Sequence, residues 1–344
     1  LHEGQKKEIK YDKLLIATGG APFDPFNVRG KYENLFLCRN VEDAIAIRKS
    51  VEGLSGKKAV VLGSGYIGLE LACAFKNRGL EVEILERDNS ILRGFLPVIA
   101  SEALAYLDKK GIHIHLSESV TGFAGEGKVE KVITEKGEYS ADIVLMAIGA
   151  KPANEFLIDS GLQFGSFGEL KIDKSMLTNI ADIWAAGDCA GTYNAFTGEY
   201  TYFPLAQTAN RQGKIAGENM AAGKNMTLKG VVKSQAMKLF DMELGSVGLS
   251  MDEAIRLGYT PEIQTIDSST KAYKNPGGGK KQPQSISYRA RRTPKLAGKK
   301  RRTERIPYPL PRRKRRAKDL RSARQCQDYL YVHAVWRNPG SDGS

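Results

Sequence analysis

Cysteine is scarce and scattered in this 344-residue chain. Its four cysteines, Cys38, Cys73, Cys189 and Cys326, share no CxxC or metal-ligand spacing, which argues against a disulfide framework and a zinc module. Histidine is as rare. His113 and His115 stand two apart on one strand face with no third ligand in view, so solvated strand histidines are expected and no metal site. No apolar run approaches the roughly 20 residues that cross a bilayer. With no secretory signal either, a cytoplasmic protein without membrane contact is expected. An initial methionine is also missing: the chain opens on Leu1 and soon enters the strand Lys13–Ala17, the pattern of a piece lacking its beginning.

Positive charge is abundant, but in one place. The formal net charge is +13, from 52 Lys+Arg and 39 Asp+Glu. Residues 280–344 hold 20 of those basic side chains and only 4 of the acidic ones, so the rest of the chain is slightly acidic. Beyond Asn275-Pro276-Gly277-Gly278-Gly279 the sequence mixes Arg, Lys, Pro, Gln and Ser with no sustained period. Such a composition cannot bury enough surface to offset chain entropy, so 276–344 is expected to be a disordered basic tail. The abrupt onset is also what out-of-frame translation would give. The run Pro311–Lys318 fits non-specific adhesion to nucleic acid, without the aromatic interleaving of a folded nucleic-acid module.

The remainder reads as alternating strand and helix. Lys13–Gly20 is a buried strand entering a Thr-Gly-Gly turn, and Val41–Leu54 has helical periodicity. Ile99–Lys110 is a further helix and Ile112–Leu116 an alternating strand. Segments around Val120–Phe123, Val129–Thr134 and Ile143–Ala147 follow at hairpin-like spacing, an antiparallel meander before a last strand that ends in Gly149. Ile183–Ala186 is a short strand, Leu205–Met220 a long helix, and Ser234–Leu249 a strand pair before a helix at Met251–Leu257.

The most informative stretch is Lys57–Glu86. Ala59–Leu62 has the continuous apolar pattern of a strand buried on both faces. Gly63, Gly65 and Gly68 then form GxGxxG: a tight turn, a close approach for a pyrophosphate, and close helix–strand packing. Ile67, Leu71 and Phe75 recur at helical spacing, and the helix they define aims its positive end at the turn. Leu80, Val82 and Ile84 alternate with Glu81 and Glu83, and Glu86 follows Gly63 by 23 residues, where an acid grips a ribose diol. The alternative is a glycine turn serving only packing. The carboxylate favours NADH over NADPH, while the adjoining Arg87 works the other way.

Several landmarks stand in a fixed order: YDKLLIATGG, GSGYIGLE, ADIVLMAIGAKPAN, DIWAAGDCA and PLAQTANRQGKIAGENM. Together they resemble the pyridine nucleotide–disulfide oxidoreductase family of FAD enzymes, in the branch of coenzyme A disulfide reductases and NADH oxidases. The resemblance implies an α/β fold of Rossmann-like three-layer FAD- and NAD(P)-binding domains with a partial α+β interface domain. It implies 1–22 as the remnant of a first FAD segment, 23–150 as the NAD(P) domain, 151–225 as the returning FAD segment, and 226–275 as the start of a dimerisation domain. It assigns Gly63, Gly65, Tyr66, Ile67, Gly68, Glu86 and Gly149 to NAD(P)H, and Thr18, Gly19, Asp188, Leu205 and Ala206 to FAD. Glu70 would face the junction of the two cofactors or pair on the surface. The family's redox cysteine lies in a segment with no counterpart here, so no catalytic residue is assigned. Three functions follow as expectations. The first is a homodimeric oxidoreductase passing hydride from NAD(P)H to flavin and on to a disulfide or dioxygen. The second is a fragment that holds NAD(H) without turnover, and the third a basic-tailed nucleic-acid binder.

Overall fold

The computed structural model describes residues 8–267, 284–292 and 331–337. Contacts divide the chain into two units, Leu1–Ile91 with Asp108–Lys233, and Leu92–Leu107 with Ser234–Ser344.

In chain order, the first unit opens with β1 (Leu14–Ile16), β2 (Gly20–Pro22), β3 (Leu35–Leu37), α1 (Val41–Ser50), β4 (Lys58–Leu62), α2 (Tyr66–Asn77) and β5 (Glu81–Glu86). α3 (Pro97–Lys109) follows, most of it within the second unit, and then β6 (Ile112–Leu116). Next come β7 (Val120–Ala124), β8 (Lys131–Thr134), β9 (Glu138–Ser140), β10 (Ile143–Met146) and β11 (Ala150–Pro152). β12 (Ile183–Ala185), the hairpin β13 (Thr192–Tyr193) and β14 (Tyr200–Thr201), and α4 (Ala206–Ala222) complete the unit. The second unit contains β15 (Ser234–Leu239), β16 (Met242–Gly248), α5 (Met251–Arg256), β17 (Tyr259–Asp267), β18 (Gln284–Arg292) and β19 (Tyr331–Arg337).

A five-stranded parallel sheet, ordered β3-β10-β4-β5-β6, is the frame of the first unit. β4 and β10 lie inside it, and their Ala59–Leu62 and Ile143–Met146 are wholly buried, as continuous apolar runs covered on both faces require. The mixed α/β architecture is therefore as the sequence indicates. The meander is built from β7, β8 and β9; β10 leaves it for the parallel sheet. Glu138–Ser140 has no buried face to give it a period, so only the ladder reveals it as a strand. A second core gathers Ile16, Leu170, Ile172, Ile183, Trp184 and Ile215, among others, around the parallel pair β1–β12. The antiparallel ribbon β2–β11 carries the chain between the two cores.

Two expectations need correction. Ile67 is not on the buried stripe of α2: it is 44% exposed, and Leu69, Ala72, Cys73 and Phe75 make the core face. In the first turn of a helix whose N-terminus faces open space, an apolar side chain has no core to meet. The tail is not uniformly irregular either. β18 and β19 pair with each other, and β17 and β16 flank them in an antiparallel sheet ordered β15-β16-β19-β18-β17. Ladder hydrogen bonds need only backbone, so a basic composition does not prevent them. The rest of 276–344, including Pro311–Lys318 and Cys326, lies outside the described residues.

α3 lies within 23–150 and makes contacts in the second unit. Its Tyr106 ring meets Phe240 edge-on at 6.4 Å, and the Tyr106 hydroxyl accepts the Asp241 N–H at 3.2 Å. Most of this helix thus belongs with the second unit. Among the described residues, no helix is long and apolar enough to cross a membrane.

Candidate functional site

The three glycines of the turn between β4 and α2 do different work. Gly63 has φ +95°, and a Cβ there would lie 2.7 Å from the Ala147 carbonyl oxygen just beyond β10. A Cβ on Gly68 would come within 2.1 Å of the Gly63 carbonyl oxygen, so this glycine lets α2 lie against its own turn. Neither position needs a ligand to explain it. Gly65 differs: it has an ordinary φ of −77°, and a Cβ there would meet nothing within 4 Å. Glycine suits an N-cap, and its bare Cα also leaves room for a molecule approaching from outside.

Gly65 is the N-cap of α2 and supplies no side-chain cap, and the first turn of the helix holds no acidic residue. The positive end of the helix therefore carries no side-chain cap and no acid of its own first turn, the arrangement that receives a phosphate. Ile67 stands exposed on the same turn, and burial pushes the Tyr66 phenol well above its usual range.

Glu86, at the end of β5, reaches the turn. Its Oε2 accepts the Ser64 N–H at 2.8 Å and the Ser64 hydroxyl at 2.6 Å, while Oε1 accepts the Asp88 N–H at 2.8 Å. A carboxylate has about four acceptor positions. Three are used, which leaves one, on Oε1, for a sugar hydroxyl. Glu86 is thus a brace of the turn as well as a candidate ribose ligand. The neighbouring Arg87 is largely exposed and lies 3.7 Å from the Asp88 carboxylate. Gly149, with φ +120°, accepts the Phe23 N–H at 2.9 Å and sits two residues past the Ala147 carbonyl that crowds Gly63.

A second cluster forms at the carboxyl ends of β1 and β12. Their parallel pairing, Leu14 opposite Ile183 through Ile16 opposite Ala185, sets the Thr18–Gly19 turn beside the Gly187–Asp188 turn. Ligands of parallel sheets bind at such strand ends. Gly19 and Gly187 have φ of +71° and +90°. Asp188 accepts the guanidinium of Arg39 at 2.5 Å. The N–H groups of Asp188 and Cys189 make no hydrogen bond among the described residues. Leu205, the N-cap of α4, gives no side-chain cap, and Ala206 opens the helix exposed, so this N-terminus too is bare. Two adjacent free donors, an arginine, a carboxylate and a bare helix end make a donor-rich site with one acceptor, which fits a phosphorylated polyol such as the ribityl diphosphate of FAD. The glycine turn, for its part, fits the diphosphate of a nicotinamide dinucleotide.

Three residues of the second cluster escape sequence reading. Arg39 precedes a helix cap and carries no pattern of its own, yet its guanidinium lies on Asp188 and near Gly20, whose Cβ would stand 3.2 Å from Nη2. Asn154 and Gln212 are polar residues within quoted motifs, but nothing in a sequence says that they are buried. The remaining candidate side chains add no ligand to either cluster. Cys73 and Cys189 are buried, and burial followed by the Asp43 charge raises the Cys38 thiol. His115 pairs with Glu83 at 3.0 Å and His113 approaches Asp108 at 3.7 Å. Glu70 is exposed on α2.

The chain matches the sequence profile of the pyridine nucleotide-disulphide oxidoreductases over residues 1–213. It is 34% identical over 275 residues to the NAD(P)H coenzyme A polysulfide/persulfide reductase of Pyrococcus horikoshii, covering 80% of this chain and 62% of that protein. To an NADH oxidase of Methanocaldococcus jannaschii it is 37% identical over 278 residues, covering 80% and 61%. Among solved structures, the NAD-dependent persulfide reductase from A. fulgidus superimposes with a TM-score of 0.80 at 26% identity, over 98% of this chain and 56% of that one. The chain thus spans less than two thirds of the length of the relatives it matches.

Proposed function

The chain belongs to the pyridine nucleotide-disulphide oxidoreductase family, and from that premise we propose that it takes hydride from NADH and delivers electrons through FAD. The electron acceptor in this proposal is a disulfide of the coenzyme A type or dioxygen, in keeping with the persulfide reductase and NADH oxidase among its relatives. Flavin supplies the two-electron chemistry that no side chain here provides. The protein's part is to hold two nucleotides.

The N–H groups of the first turn of α2 receive the nicotinamide dinucleotide's diphosphate, Gly65 gives it room, and Glu86 accepts one hydroxyl of the adenosine ribose. A 2′-phosphate would meet that carboxylate, so NADH is the preferred donor over NADPH; Arg87, already beside Asp88, offers only partial compensation. Tyr66, Ile67 and Gly149 line the approach to the nicotinamide. On the other side, Thr18, Gly19, Asp188 and Arg39 hold the flavin's ribityl diphosphate. The start of α4 at Leu205 and Ala206 places a positive helix end where charge would gather on a reduced ring.

The corresponding domain limits are 1–22 with 151–225 for the flavin lobe and 23–150 for the NAD lobe, with 226–275 beginning an interface domain in a cytoplasmic homodimer. The pairing of β1 with β12 supports joining the first two segments. Adhesion of the basic tail to nucleic acid is non-specific in this reading.

The observation that carries the proposal is the bare N-terminus of α2, with open space at Gly65 and a carboxylate on the same turn. The test is anaerobic addition of NADH to the chain reconstituted with FAD. Loss of the visible flavin absorbance in a stoichiometric step is expected. Flavin that stays bound and oxidised would refute electron transfer, leaving at most an NAD(H)-binding protein.

A further inference from the structure

We propose that Asn154 and Gln212 are positioning residues for the flavin, two buried amide side chains that clamp the Gly187–Gly191 turn and so preset Asp188. The proposal rests on the reading above that a flavin nucleotide lies over that turn.

Both side chains are costly to bury. Asn154 is 3% exposed and Gln212 is 0% exposed, and a buried amide without partners would be strongly destabilising. Here the amide groups are engaged. Gln212 Oε1 accepts the Gly187 N–H at 2.9 Å, and its Nε2 donates to the Gly191 carbonyl at 2.7 Å. One side chain from α4 thus grips the first and last residues of the turn. Asn154 Nδ2 donates to the Cys189 carbonyl at 2.8 Å and to the Gly168 carbonyl at 2.9 Å. Its Oδ1 accepts the Thr18 hydroxyl at 3.3 Å. A single amide therefore ties the turn after β1 to the turn after β12, the two that would face the flavin.

The choice of bonded atoms is what separates positioning from plain packing. The amides take the backbone groups that flank Asp188, while Tyr202 donates its hydroxyl to the Asp188 carbonyl at 2.7 Å. The Asp188 and Cys189 N–H groups keep no partner among the described residues. The turn is held from outside with its two central donors left to a ligand, while Arg39 orients the Asp188 carboxylate. Apolar side chains of equal volume would fill the space but fix no orientation.

Asn154→Ala removes both donors and the acceptor; Gln212→Glu keeps shape and the acceptor for Gly187, but sets an oxygen against the Gly191 carbonyl. For each we expect FAD affinity to fall by about 10- to 100-fold, the loss expected when a charge-assisted hydrogen bond from the turn is misaligned. NADH affinity should change by less than about twofold, because a tenfold change needs about 1.4 kcal/mol and the glycine turn shares no bond with either amide. Hydrogen–deuterium exchange of the full chain should show faster exchange across 187–191 and none across 58–77. A merely structural role would weaken both nucleotides together and speed exchange across the whole unit. Should Asn154→Ala not fold, Gln212→Glu carries the test. FAD uptake unchanged in the folded variants would overturn the inference alone. A wild-type chain that takes up no FAD would overturn the flavin reading, and this inference with it.

Discussion

Replacing Gly65 and Gly68 separately by alanine should split stability from ligand affinity. At Gly68 the new Cβ would stand 2.1 Å from the Gly63 carbonyl oxygen and 3.5 Å from Val61 Cγ1. The crowded oxygen is backbone, so no rotamer relieves it, and α2 must move away from β4 by about an ångström. Overpacking of this kind costs ~1–3 kcal/mol, which at ~2–4 °C per kcal/mol lowers Tm by roughly 2–12 °C. At Gly65 the same methyl meets nothing within 4 Å, and φ −77° suits alanine. The N-cap preference of glycine over alanine, about 1 kcal/mol, is offset by ~0.4–1 kcal/mol of lost unfolded-state entropy. Tm should therefore stay within about 2 °C of wild type. The diphosphate, however, would meet that methyl. Losing one charge-assisted N–H contact costs ~1.5–3 kcal/mol, or roughly a 10- to 100-fold rise in Kd for NADH. Thermal melts followed by circular dichroism and NADH titrations by fluorescence read the two quantities. A Gly65→Ala protein that is stable and binds NADH as tightly as wild type would refute the reasoning.

Four other outcomes are expected. Glu86→Ala leaves the Ser64 and Asp88 N–H groups without their acceptor, and should lower stability by ~1–3 kcal/mol; the ratio of NADPH to NADH dissociation constants should also fall severalfold, and an unchanged ratio in parallel titrations would count against the ribose assignment. Asp188→Asn removes the charge that holds Arg39 and should weaken FAD uptake about tenfold or more while leaving NADH binding intact; equal FAD retention after gel filtration would contradict it. The Thr134 hydroxyl, then Lys136, hold the buried Glu118 carboxyl below its usual range. A depressed folded value contributes stability that is present above the unfolded pKa of about 4.3 and is lost as pH falls through the folded value. Thr134→Val should therefore move acid unfolding to higher pH, and superimposable curves would rule this out. Asn40 closes a capping box on α1 with Asp43, and Asn40→Ala should cost ~1 kcal/mol, seen as a lower midpoint in urea.

The parts of the fold legible in the sequence are those where one local pattern has one reading. β4, α2 and β5 are such parts, because a strand buried on both faces, a glycine turn and an alternating strand leave few alternatives. Ile67 reads wrongly because helical spacing cannot tell a core position from one at the open end of a helix. β9, β18 and β19 are set by ladder pairing rather than by side-chain period; α3 is legible as a helix, but its long-range contacts, such as Tyr106 with Phe240, are not. Gly63, Gly68, Gly149 and Gly187 are visible as motifs, since the backbone or close packing demands glycine there, and Asp188 is visible through the ordered motif around it. Arg39, Asn154 and Gln212 are not, because their roles depend on carbonyls and carboxylates far away in sequence, such as Asp188, 149 residues from Arg39.

Calorimetric titration of the folded wild-type chain with NADH tests the central claim most directly. Saturable binding of one NADH per chain, weakened severalfold or more with NADPH, is predicted. A cooperatively melting protein that releases or absorbs no binding heat at several temperatures, and whose Tm NADH does not raise, would contradict it.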